Sequence, residues 1–141
     1  MRQLEFRKTV QRLLEGRKTA TRRDWKASHA RRIQVGELIA AYSKPKRAGG
    51  EHVATIRVQR PLYQQRLDRV TPEDLAAEGG LWADREAWLA TWRELGYAPD
   101  FQPWVLEFEV VEITEAGRTC LEALHQKHTL AAEGGAKEGD V

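Results

Sequence analysis

Residues 103–113 read PWVLEFEVVEI, which is the clearest strand signal in the chain. Large apolar side chains occupy every second position from 104 to 110, a period of two that predicts a strand with one face in a hydrophobic core. Two earlier stretches add to it: a turn followed by a buried strand in 33–42, and an alternating strand in 52–60. The alternating residues of the first stretch are Trp104, Leu106, Phe108 and Val110.

Helices are predicted between and after these strands. Apolar residues at helical spacing span 4–15, and a Thr-Pro pair with two following acids begins a helix over 71–78 that stops at a glycine pair. Further helices are expected over 84–95 and 115–131, and the last ten residues lack an apolar anchor and are expected to be disordered. Strands interrupted by helices predict an α+β domain, which a small β-barrel would close. The apolar face of the third helix is Trp88, Trp92 and Leu95.

Composition limits the class of protein. With 141 residues, 41% of them hydrophobic, the chain is the size of one domain and can fill one core. It has no apolar run long enough for a membrane span and no signal-peptide core, and one cysteine excludes an internal disulfide. A soluble cytoplasmic protein is therefore expected. The absence of asparagine, with 16 Arg against 7 Lys, fits a heat-adapted source or a biased genome composition.

The net charge of +2 hides an uneven distribution. Residues 1–70 carry 18 Lys and Arg against 6 Asp and Glu, whereas residues 71–141 carry 5 against 15. Such an asymmetry indicates a basic surface that faces a polyanion or a phosphate-bearing ligand. The alternative is that the two halves fold against each other and neutralise their charges.

Two short segments are candidates for chemistry. The stretch 16–24, GRKTATRRD, places a lysine, two hydroxyls and arginines together at the start of a basic loop predicted over 17–32. It lacks the glycine spacing of a phosphate-binding Walker loop, and a solvated basic loop is the alternative interpretation. Glu78 lies at the end of a predicted helix, where the helix dipole disfavours its charge. The scattered histidines predict no metal site, and no cofactor is expected.

These segments, in this order, resemble the ASCH domain, a PUA-like family associated with RNA. The resemblance rests on the motif of 16–24, on Val-Gly-Glu at 35–37 before a strand, on Ala-Glu-Gly at 77–79, and on the closing strand. It covers roughly residues 4–113. Many members have Gly-Asp where this chain has Gly36-Glu37. The resemblance implies a PUA-like small β-barrel with flanking helices, with an ASCH domain over 1–113 and a C-terminal helix and tail over 114–141.

The resemblance also implies a function. Small family members that hydrolyse N4-acetylcytidine use a lysine, a threonine and a glutamate, and Lys18, Thr21 and Glu78 occupy the matching positions. Thr21 would be the nucleophile, Lys18 its base, and Glu78 would orient the lysine and pass a proton to the leaving amine. Arg23 would hold the ligand or the developing oxyanion. A salt bridge between Glu78 and Lys18 would instead keep the lysine charged.

The expected partner is RNA or a modified nucleoside, and no membrane is expected. Trp25 and Trp82 are the tryptophans predicted to stack on bases. Two other functions remain open: a non-catalytic RNA-binding or regulatory module, and a single-strand ribonuclease using the same three residues. The residues predicted to bind the ligand or nucleic acid are Arg17, Thr19, Arg22, Arg23, Trp25, Lys26 and Trp82.

Overall fold

The computed structural model describes residues 1–134, and within them six strands form one mixed sheet. The strand order is β1-β3-β4-β6-β2, and β5 pairs with β6 beside this path. Only β1 and β3 pair in parallel; the other pairs are antiparallel. The strands are β1 Arg2–Glu5, β2 Ala20–Arg23, β3 Leu38–Tyr42, β4 His52–Val58, β5 Tyr63–Gln64 and β6 Trp104–Ile113.

Helices pack on this sheet, which curves into a half-barrel. The architecture confirms the prediction of an α+β small barrel, and the predicted helices over 71–78, 84–95 and 115–131 are all present. The α-helices of the described residues are α1 Val10–Leu14, α2 Ala27–Ala30, α3 Pro72–Ala77, α4 Arg85–Glu94 and α5 Glu115–Gly134.

Strand β6, which its alternation predicts as a strand, pairs with three others: β2, β4 and β5. Its first half pairs with β2 and β5, and its second half pairs with β4. Leu106 and Phe108 are buried in the barrel core, where the Phe108 ring meets Phe6 edge-on at 5.9 Å between centroids. One long strand therefore joins the part of the sheet that carries β2 to the rest of the barrel.

A second, smaller core lies between the 3-10 turn Leu67–Arg69 and helices α3 and α4. Its buried members are Leu67, Val70, Leu75 and Trp88. The predicted apolar face of α4 is only partly correct, because the helix ends at Glu94 and Leu95 follows it with 66% of its surface exposed.

The N-terminal prediction needs a correction. Residues 2–5 form β1, paired in parallel with β3, and the helix expected over 4–15 shrinks to the five residues of α1. Leu4 and Phe6 are both buried, an alternation that suits a strand as well as the first turn of a helix. Because the pairing partner of β1 lies over thirty residues away in sequence, local periodicity could not choose between the two.

The expected basic loop over 17–32 is also wrong in part. Residues 20–23 form β2 and residues 27–30 form α2. Thr21 and Arg22 point to opposite faces of β2, and both find polar partners, so no apolar alternation marks the strand. Its pairing with β6 supplies the strand structure that its own sequence does not predict.

Helix α5 packs over β4. Cys120 and Leu121 contact the barrel core, and Gly117 lies against the Val53 carbonyl. The helix is bounded at Glu115 and Gly134. The rest of the predicted disordered tail, 135–141, lies outside the described residues. The domain division at residue 113 stays a prediction.

Replacing Gly117 by alanine is expected to lower the free energy of unfolding by about 1–3 kcal/mol, because a Cβ there would lie 2.0 Å from the backbone oxygen of Val53. Helix propensity alone would favour alanine by about 1 kcal/mol, so packing reverses the expected sign. Urea unfolding measures the effect, with the exposed Thr119→Ala on the same helix as control. Equal stability of Gly117→Ala and wild type would contradict this close packing.

Among the described residues no helix is long and apolar enough to cross a bilayer.

Candidate functional site

Lys18 is held in a short connection between α1 and β2. Gly16 ends α1 with a positive φ of 77°, and the backbone N–H groups of Arg17 and Lys18 both donate to the Arg12 carbonyl, at 2.8 and 3.2 Å. The next N–H, of Thr19, donates to the Ala77 carbonyl of α3 at 2.7 Å. These bonds place Lys18 beneath the C-terminus of α3, with only 2% of the residue exposed.

Glu78 caps the C-terminus of α3. The helix begins at a capping box between Thr71 and Asp74 and stops where Gly79 and Gly80 take positive φ values of 117° and 72°. Both ends are therefore specified by local sequence, as predicted. The short helix presents Glu78 inward, and the residue is 4% exposed.

The Glu78 carboxylate is shared by two buried cations. Lys18 Nζ donates to Oε1 at 3.0 Å and to the Glu78 backbone oxygen at 3.1 Å, and Arg22 Nη1 donates to Oε2 at 2.8 Å. Arg22 Nη2 also donates to Gln65 Oε1 and lies 3.5 Å from Asp74 Oδ1. Gln65 Nε2 in turn donates to Asp74 Oδ2 at 3.2 Å. The result is a connected network of charges beneath α3.

Burial is the largest influence on the Lys18 ammonium, and it lowers the pKa of that group from its ordinary value. The Glu78 carboxylate opposes this shift, whereas the nearby Arg23 and Arg22 guanidiniums add to it. The pKa of Arg23 is also lowered by burial, against the opposing charges of Glu78 and Glu5. Lys18 therefore releases its proton more easily than a surface lysine does.

Thr21 and Arg23 lie on the other face of β2 from Arg22. The register places Thr21 opposite Leu106, a barrel-core residue. Arg23 Nε donates to Thr21 Oγ1 at 3.3 Å, and its Nη2 donates to the Glu5 carbonyl at 2.7 Å. Thr21 is 4% exposed, and its hydroxyl is hydrogen-bonded to Arg23 rather than to Lys18.

The remaining predicted binding residues lie outside this cluster. Arg17 and Thr19 are exposed on the connection, with Arg17 Nη1 3.0 Å from Glu15 Oε1. Lys26 is exposed immediately before α2. These three side chains therefore lie at the surface, outside the buried network.

The two tryptophans predicted to stack on bases also make contacts within the protein. Trp25 packs on the barrel core and meets His29 edge-on at 5.0 Å. Trp82 meets Trp88 edge-on at 4.8 Å, and its Nε1 donates to Thr91 Oγ1 at 2.9 Å. Trp82 also lines a cavity of about 340 Å³ on the outer side of α3. Both are half-buried, so each keeps part of one ring exposed.

Sequence inspection missed the role of Gln65 and Asp74 in the network around Arg22. Asp74 was visible only as a helix-capping acid, and nothing local marks Gln65. It also missed Tyr63, whose hydroxyl donates to Glu107 Oε2 at 2.6 Å. Partial burial and this carboxylate raise the pKa of Tyr63 to about 12. A search for polar residues on the strand neighbours of β6 would have found Tyr63.

Metal ligation has no support among the described residues, where no three His, Cys, Asp or Glu side chains lie close enough to hold an ion. His125 Nε2 lies 2.9 Å from Glu15 Oε2, which ties α5 to the residue after α1.

The half-barrel sheet with its flanking helices is an ASCH-type fold. Three chains among the solved structures match this chain, including the following two. The ASCH domain from Lactobacillus crispatus JV V101 aligns over 73% of this chain and 70% of its own, with 20% identity and a TM-score of 0.55. A DUF984 protein from Enterococcus faecalis V583 aligns over 77% of this chain and 73% of its own, with 20% identity and a TM-score of 0.58. These matches confirm the predicted fold.

No family model matches the sequence, and no curated protein matches it significantly.

Proposed function

We propose that this protein binds RNA or a modified nucleoside at the cluster of Lys18, Thr21 and Glu78, and that it hydrolyses an amide of the N4-acetylcytidine type there. The observation that carries the proposal is the burial of Lys18 against Glu78 beside a strand that bears a buried threonine. Buried ionisable groups with lowered proton affinity are a common property of catalytic sites. The RNA connection comes from the ASCH-type fold.

The nucleophile of the proposed reaction is the Thr21 hydroxyl. Arg23 Nε donates to its oxygen, so the hydroxyl hydrogen remains free to be transferred and the guanidinium stabilises the oxygen as negative charge develops. Attack of Oγ1 on the acetyl carbon forms an ester and breaks the C–N bond, while the amine leaves with a proton. Water then hydrolyses the ester, which releases acetate and restores the hydroxyl.

Lys18 is the proposed base. Its burial and the two neighbouring arginines lower its pKa, which increases the neutral fraction able to accept the threonine proton. In the structure its ammonium is bonded to Glu78 instead, so the reaction requires Lys18 to exchange Glu78 for Thr21 when the substrate enters. Glu78 then accepts or returns the proton for the leaving amine.

A non-catalytic RNA-binding module is the second candidate. It is favoured by the paired state of Lys18, Arg22 and Glu78, since a buried network whose charges are already paired can serve the fold alone. A single-strand ribonuclease would use the same three predicted residues and is the third outcome of the test.

The test is release of cytidine and acetate from N4-acetylcytidine by the purified protein. Thr21→Val should lose about 10²–10⁴-fold in kcat/KM, whereas Thr21→Ser keeps the hydroxyl and should retain activity. Thr119→Ala, on the exposed face of α5, is the matched control. If wild type releases no cytidine, the amidohydrolase proposal is wrong. Binding of single-stranded RNA would then support the binding module, and its cleavage would support the ribonuclease.

A further inference from the structure

A second basic surface lies at one edge of the sheet, away from the motif of 16–24. Because β1 and β3 run in parallel, the residues that follow them emerge at the same end of the sheet. The Phe6 N–H donates to the Tyr42 carbonyl at 2.8 Å, which holds the two chain exits together. The connection after β3 then folds back along β1, where Pro45, Lys46 and Arg47 face Gln3 to Glu5.

Five cations gather at this end, and we call them the basic rim. All are exposed. Within the side chains that the structure describes, only one of them has a carboxylate within 4.0 Å, at 3.4 Å from Glu5. Since unpaired exposed cations attract anions most strongly, this surface carries much of the positive excess of residues 1–70. The rim consists of Arg7, Lys8, Lys44, Lys46 and Arg47.

A cavity of about 250 Å³ lies under the rim. Lys46 and Arg47 line it together with Tyr42, whose ring stacks on His52 at 5.9 Å between centroids. Glu5 also lines the cavity, where Arg7 partly offsets its charge. A lysine and an arginine side by side are groups that bind a phosphate.

Glu5 connects this cavity to the candidate site. Its backbone oxygen accepts a hydrogen bond from Arg23 Nη2, and the same guanidinium donates to the Thr21 hydroxyl through Nε. One residue of β1 therefore lies between the cavity and the side chains of the candidate site.

We propose that the basic rim binds the phosphodiester backbone of a single-stranded nucleic acid while one of its bases enters the Lys18–Thr21–Glu78 cluster. This inference rests on the proposed function and narrows its substrate class from a free nucleoside to a nucleotide within a strand. A free nucleoside leaves the rim unused. A paired base in a duplex is stacked and cannot enter a buried cluster unless it is extruded.

The test compares Lys46→Ala/Arg47→Ala with Arg69→Ala/Arg93→Ala, a double variant that removes the same charge from exposed positions in the helical layer. Fluorescence anisotropy follows binding of a short single-stranded RNA, and of DNA of the same sequence, over a range of salt concentrations. Two lost phosphate contacts should reduce the slope of log K against log salt by about 1.4 for the rim variant. The control variant should change the slope by less than half of that.

Equal slopes for the two variants, or no binding of either strand by wild type, would contradict the proposal that the basic rim binds a phosphodiester backbone. The proposal would also be wrong if the rim variant lost as much affinity for cytidine 5′-monophosphate as for the strand. That result would indicate a pocket for a single nucleotide. Deacetylation of N4-acetylcytidine by wild type is measured separately, both as the free nucleoside and within the short single-stranded RNA. If the salt slope depends on the rim but no deacetylation is found, the proposed reaction is wrong and the rim proposal stands. If deacetylation is found but the two variants have equal slopes, the rim proposal is wrong and the reaction stands.

Discussion

Replacing Glu78 by alanine is expected to lower the free energy of unfolding by about 3–5 kcal/mol. The change removes the carboxylate that Lys18 Nζ and Arg22 Nη1 share. It leaves Lys18 buried with its charge uncompensated, and it leaves Arg22 with Asp74 alone, at 3.5 Å. Breaking a buried ion pair by removing one partner is costly for this reason. Glu73→Ala, an exposed acid in the first turn of the same helix, is the control and should cost less than about 1 kcal/mol.

The penalty should shrink as the pH rises. Lys18 already has a pKa below its ordinary value of 10.5. Loss of Glu78 removes the negative charge that raises this pKa, so the pKa of Lys18 falls further. Between the lowered folded pKa and the unfolded value the unfolded chain binds more protons, so stability increases with pH in that window. Urea unfolding between neutral pH and pH about 10 measures this. Glu78→Ala/Lys18→Met should remove the added pH dependence.

A Glu78→Ala protein as stable as wild type at neutral pH would contradict the shared ion pair. So would a penalty that stays constant with pH, because the lysine would then not be the group left buried.

Replacing Trp88 by alanine is expected to cost about 3–5 kcal/mol. The side chain is 1% exposed and centres the second core, with Trp82 edge-on at 4.8 Å and Trp92 tilted at 5.8 Å. The Arg22 guanidinium lies 5.7 Å from its ring centroid, so the ring also supports the ion network. Alanine would leave a cavity in the small core and remove the surface on which Arg22 rests.

Trp88→Phe separates these contributions. The indole Nε1 of Trp88 is buried without a hydrogen-bond partner, and phenylalanine removes that cost while it keeps a ring beneath Arg22. Its penalty, measured by urea unfolding, should therefore be well below that of Trp88→Ala. The exposed Leu95→Ala is the control and should lie within about 0.5 kcal/mol of wild type. Equal losses for Phe and Ala would show that ring packing is not what stabilises this core.

The elements that sequence predicted correctly are those with local signals. The alternation around Leu106 identified β6, and the capping residues at Thr71 with the glycine pair after Glu78 placed α3 within a residue at both ends. Strand β2 was missed, because Arg22 and Thr21 satisfy polar groups on both faces and leave no apolar period. Strand β1 was missed because its partner β3 is distant in sequence.

For the candidate site, the motif of 16–24 and Glu78 were found by resemblance to the ASCH domain. That Lys18 meets Glu78 across 60 residues is a finding of the tertiary structure. So is the position of Arg22, which the sequence predicted as a ligand-binding residue and not as a partner of Glu78. The register of β2 on β6 turns the Arg22 and Thr21 side chains to opposite faces.

The sequence by itself determined which segments alternate, where α3 begins and ends, and which residue types stand in the basic motif, because each depends on near neighbours in the chain. The tertiary structure determines which charged side chains form ion pairs. Strand register and helix placement bring Lys18 and Arg22 to the same Glu78 carboxylate. They leave Thr21 on the opposite face of β2 from Arg22. Parallel pairing of β1 and β3 gathered the basic rim from two separate segments. Coulomb energy depends on distance in space and on burial, and neither can be calculated from position along the chain.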